Sequence, residues 1–102
     1  MEWYHYLAAF WAGAFAANFV PHFVHGSSGN KFPSPFSNPR GIGLSSPPVN
    51  VLWAIFNLVV AYLLFIYSKA DSAHPLSMLV FLSGIMTLSL YASQRFTKKH
   101  KE

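Results

Sequence analysis

The sequence predicts an all-α membrane protein with three transmembrane helices. Hydrophobic residues make up 53% of the chain and charged residues only 10%, where soluble domains carry about 25% charged. Three apolar segments have no charge in their interiors. Each is close to the roughly 20 residues that cross a hydrocarbon core of about 30 Å. A chain of 102 residues makes one domain, too small to hide this much apolar surface from water.

The first span is expected over residues 4–24, with no Lys, Arg, Asp or Glu. A cleaved signal peptide is the rival reading. It would want a basic leading region, but Glu2 is the only charge ahead of the segment. The second span is expected over 49–68. Ser45 and Ser46 ahead of Pro47 and Pro48 suit a serine N-cap with proline in the first turn. The third is expected over 76–93, capped by Ser72 or His74. The polar stretch from Lys69 to His74 is then a tight turn, making spans two and three an antiparallel hairpin.

Residues 25–48 hold five of the seven prolines and four of the six glycines. Proline removes donors and glycine favours positive φ, so no continuous helix is expected there. Phe32, Phe36, Ile42 and Leu44 would be costly to leave in water. The expectation is an ordered loop, on the membrane surface or folded back between helices.

The formal net charge is +4, and Arg95, Lys98, Lys99 and Lys101 crowd into a basic tail over 94–102. No basic stripe is interleaved with a folded face, so nucleic acid is not the expected partner. With three spans, the long loop and the tail share a side. That side holds Lys31, Arg40 and the four tail charges, six of the seven Lys and Arg. The positive-inside rule makes it cytoplasmic and puts the N-terminus outside. Trp3, Tyr4, Tyr6 and Tyr67 then mark the outer interface, and Trp53, Tyr91 and Phe96 the inner one.

Small residues recur every four positions in the first span, as Ala9, Gly13 and Ala17 and as Ala8, Ala12 and Ala16. Such faces let helix backbones approach closely. They serve packing within the chain or a contact between subunits. Three helices leave many faces free, so a homo-oligomer or a larger membrane complex is expected.

Polar residues inside spans are costly in lipid and therefore informative. Asn18, His22 and His25 share one helical face, as do Asn50, Trp53 and Asn57. His22, His25, Asn50, Trp53 and Arg95 fall near the cytoplasmic end, where with Asn18 they form a candidate polar cluster under the loop. The spacing of His22 and His25 permits joint ligation of a metal or haem. Strong helical zinc motifs add an acidic residue, and none lies nearby. The bland alternative is a pair of interfacial histidines that bond loop carbonyls and close the helix before Gly26. No cofactor is predicted. Ser83, Thr87 and Tyr91 make a further polar row that serves helix packing or a solute path.

Enzyme templates fit poorly. There is no acid in any span and no cysteine in the chain. Asp71 and His22 belong on opposite sides of the bilayer. Gly41-Ile42-Gly43 follows no strand, so it is not a dinucleotide fingerprint.

The run Pro21-His22-Phe23, His25-Gly26, Phe32, Ser34-Pro35-Phe36, Pro39, Gly41, Gly43-Leu44-Ser45-Ser46 and Asn50-Val51-Leu52-Trp53 is similar to one found elsewhere. With the opening Trp3-Tyr4-His5-Tyr6-Leu7, it resembles a family of small, functionally uncharacterised bacterial three-span inner-membrane proteins. The likeness covers roughly the first 60 residues. It implies three helices and a bacterial inner membrane, and it brings no activity and no catalytic residue. The function expected is that of an accessory, assembly or interaction subunit. An oligomeric transporter or channel, or a metal- or cofactor-binding protein using His22 and His25, are the alternatives.

Overall fold

The computed structural model describes residues 1–40 and 42–98, without the side chain of Lys98. Residues 99–102 of the expected tail therefore lie outside the described residues. The order is α1 (Trp3–Ser27), α2 (Pro47–Ser68), α3 (Pro75–Arg95) and a 3-10 turn at Phe96–Lys98. All three helices are long and apolar enough to cross a membrane.

Burial is inverted relative to a soluble domain. The largest fully buried side chains are Asn50, Asn57, Pro33, Ser34, Ser68 and Ser77, and the buried apolar residues are alanines plus Phe32. Leu52, Leu63, Leu79, Leu90 and Tyr62 face outward. Lipid is the solvent in which that arrangement is stable, because apolar side chains lose nothing there and unpaired polar groups lose much.

α1 is the hub. It packs along both α2 and α3, which hardly touch each other. α2 and α3 meet near the turn that joins them. There Ser77 Oγ donates to the Ser68 carbonyl at 3.2 Å, and the Phe65 and Phe81 rings lie 5.0 Å apart. The small residues set this geometry. Ala9 and Gly13 are buried, and Ala17 is half-buried. The α-carbon of Gly13 sits against the Phe81 carbonyl and the Ile85 backbone nitrogen, and that of Gly84 sits against the Phe10 carbonyl. A side chain at either position would collide with backbone.

α1 runs three residues past its expected end, through His25, Gly26 and Ser27. Gly26 does not end the helix. It lets α1 lie against the Pro47 carbonyl and the Val51 backbone of α2. The cap falls at Ser28, whose N–H bonds back to Val24 and His25, and Gly29 follows at φ 77°. Ser46 takes the N-cap position of α2, but its hydroxyl makes no cap bond.

At the opposite end Tyr4 and Tyr67 lie 6.0 Å apart. The turn there is closed by Asp71, which accepts from the Ala73 N–H at 3.0 Å and from His74 Nδ1 at 2.9 Å. The hydrogen bond from His74 holds the Asp71 carboxyl below its ordinary value.

Candidate functional site

The described residues of the long segment between α1 and α2 form a cap on the helix ends. Phe32 and Ser45 pair as an isolated antiparallel bridge, with N···O distances of 3.2 and 2.9 Å. The hydroxyls of Ser34 and Ser45 lie 2.6 Å apart inside it, and Ser37 Oγ donates to the Ser34 carbonyl at 2.7 Å. The loop thus supplies polar partners to itself, as a segment leaving water must.

Two amide ties join α1 to α2. Asn50 Nδ2 donates to the carbonyls of Phe32 at 2.9 Å, Ser46 at 3.2 Å and Ser45 at 3.3 Å. That fixes the amide orientation and turns Oδ1 toward His22 Nδ1, 2.8 Å away. Because Asn50 Oδ1 can only accept, His22 Nδ1 is the donor. A neutral His22 then keeps its lone pair on Nε2. Further along the helices, Asn18 Nδ2 donates to Asn57 Oδ1 at 3.1 Å, and Asn57 Nδ2 donates to the Trp53 carbonyl at 2.7 Å.

Beside these ties lies a cleft of about 320 Å³. Asn18 and His22 of α1, Trp53 of α2 and Tyr91 of α3 form its walls, and Arg40 of the loop and Arg95 of α3 stand with them. Arg95 Nη2 donates to the Arg40 carbonyl at 3.4 Å, tying α3 to the loop. The acids among the described residues, Glu2 and Asp71, both lie at the other end of the molecule. The Trp53 indole N–H is buried and has no hydrogen-bond partner among the described residues. Next to the cleft is a groove of about 240 Å³ that shares Asn18, Trp53 and Tyr91 with it and is otherwise walled by Trp11, Ala14, Phe15, Asn57 and Leu88.

Of the residues singled out from sequence, Asn18, His22, Trp53 and Arg95 come together in this cleft. Asn50 stands behind its wall. His25 stands apart, its ring stacked on Phe32 at 4.4 Å and 11°. His22 Nδ1 is already engaged by Asn50, and no group of three potential metal ligands occurs among the described residues. Ser83 and Thr87 are exposed on the outside of α3. The sequence reading did not place Arg40 or Ser34 at the site. An arginine in a proline-pinned loop was the available signal for the first; nothing marked the second among so many serines. No protein-family model, curated protein or solved structure matches the chain.

Proposed function

We propose that this chain is a multi-pass membrane protein that binds an anionic group in the cleft at its basic end. One observation carries the reading: Arg40 and Arg95, 55 residues apart in sequence, stand over one cleft with no carboxylate among the described residues at that end. Guanidinium forks suit phosphate and carboxylate, which they bind with two parallel hydrogen bonds. Asn18 adds polar capacity, and the Asn50–His22 lock keeps the wall in place. In this reading the basic end is cytoplasmic, the N-terminus is on the far side, and the membrane is a bacterial inner membrane.

The test is thermal unfolding of purified protein against phosphate-bearing compounds, both soluble and lipid, at constant ionic strength. A ligand at tenfold its Kd should stabilise the wild type by about 1.4 kcal/mol. The Arg40→Gln/Arg95→Gln protein should lose that response. Equal responses of the two proteins across the whole panel would refute the reading.

The accessory-subunit reading has separate support. α3 buries only Ser77 and Gly84 and presents Leu79, Leu82, Met86 and Leu90 outward. Gly13 of the small-residue face is covered by α3 and Ala9 is fully buried, so a partner or second copy would use these outer faces instead. Purification in mild detergent should then recover a stoichiometric membrane partner or a defined oligomer. A lone monomer at all concentrations would count against it.

A further inference from the structure

We infer that the anionic group is the head of a membrane lipid, one of whose acyl chains lies in the groove next to the cleft. This rests on the anion-binding reading above and names its ligand.

The first observation is adjacency. The cleft and the groove share Asn18, Trp53 and Tyr91 as walls, so a molecule seated in one borders the other. The second is the change of character from cleft to groove. Arg40, Arg95 and His22 stand at one end, and at the other Trp11, Ala14, Phe15 and Leu88, with Asn57 the one added polar residue. A soluble anion would use only the first half; an amphiphile uses both. The third is length. From Asn18 to Trp11 the helix rises about 10 Å, room for several methylenes directed into the bilayer. The fourth is Trp53, which lines both the cleft and the groove and so stands where the polar and apolar halves join. Depth agrees as well: the cleft lies at the helix ends, where Trp and Tyr gather at the headgroup level.

The chain gains little hydrophobic energy by leaving lipid for the groove, since both are apolar. Preference therefore comes from the head, and the groove sets which molecules can present that head in position. Selectivity for anionic over zwitterionic lipids should follow the two arginines.

The full-length protein in non-ionic detergent would be offered equimolar phosphatidylglycerol and phosphatidylcholine with matched chains, and retained lipid counted by native mass spectrometry. One phosphatidylglycerol per chain is expected, favoured about tenfold or more, the size of a charge-assisted hydrogen bond. Arg40→Gln/Arg95→Gln should bring the ratio close to one. Leu88→Trp, which fills the groove and leaves both arginines, should reduce retention severalfold. If that variant does not fold, a ligand-side comparison replaces it: glycerol phosphate, a phosphate head without chains, should not displace the lipid. Equal retention of both lipids, or displacement by glycerol phosphate, would overturn the inference. Arginine-dependent stabilisation by glycerol phosphate without retained lipid would keep the anion site and reject the lipid. No arginine-dependent response to either would reject both.

Discussion

A carboxamide has two hydrogens and one oxygen to place, and Asn50 places all of them. It serves three backbone carbonyls on one side and His22 on the other, with no exposure of its own. Removing it strands the His22 N–H and releases the loop from α2. Asn50→Ala should cost about 2 kcal/mol, the range for an orphaned buried donor. The Phe32 and Ser45 amides should exchange with deuterium faster in that variant, while the middle of α3 is unchanged. Asn18→Ala should cost less, about 1 kcal/mol, because Asn57 keeps its bond to the Trp53 carbonyl. Unchanged exchange at Phe32 would mean that the amide does not hold the loop. At this scale the sequence was informative about Asn18, His22 and Asn50, since a polar residue inside an apolar span must find a partner. It was silent about the partners, because Phe32, Ser45 and Ser46 contribute carbonyls, which every residue has. His25 had the same helical face as His22, but stacking on Phe32 took it elsewhere.

Helices are recognisable from sequence when their solvent is lipid, and the existence of all three followed from apolar length alone. Their ends were harder. The glycine that suggested a stop, Gly26, is there to bring two backbones together, and composition does not distinguish the two uses. The same applies to Gly13, whose small-residue spacing indicates close approach without naming the neighbour, and to Gly84, a lone glycine in the third span. Their neighbour lies in the same chain: each faces backbone across the α1–α3 contact. Gly84→Val should therefore push α3 off α1 and cost about 3 kcal/mol, at the upper end of ordinary overpacking. Reversible unfolding in mixed micelles would measure it. A loss below about 0.5 kcal/mol, typical of surface positions, would show that this crossing is not a tight one.

For the molecule as a whole, polar atoms are inside and apolar side chains outside, and among the described residues Arg40 and Arg95 stand at one end while Glu2 and Asp71 lie at the other. Orientation in the membrane is the corresponding prediction. The chain has no cysteine, so a single introduced thiol is a clean reporter. In intact cells a membrane-impermeant maleimide should label Ser72→Cys in the turn between α2 and α3. It should reach Asn30→Cys only after permeabilisation. The reverse pattern would invert the assignment. The place of α1 between its two partners also bears on biosynthesis. The first helix enters the bilayer with Asn18 and His22 unsatisfied, and the second supplies Asn57 and Asn50 to meet them. The third shares too little with the second to wait for it as a ready-made pair. α1 is therefore the one helix on which both others pack, and in the chain it precedes the two segments that supply its polar partners and its close-packed neighbour.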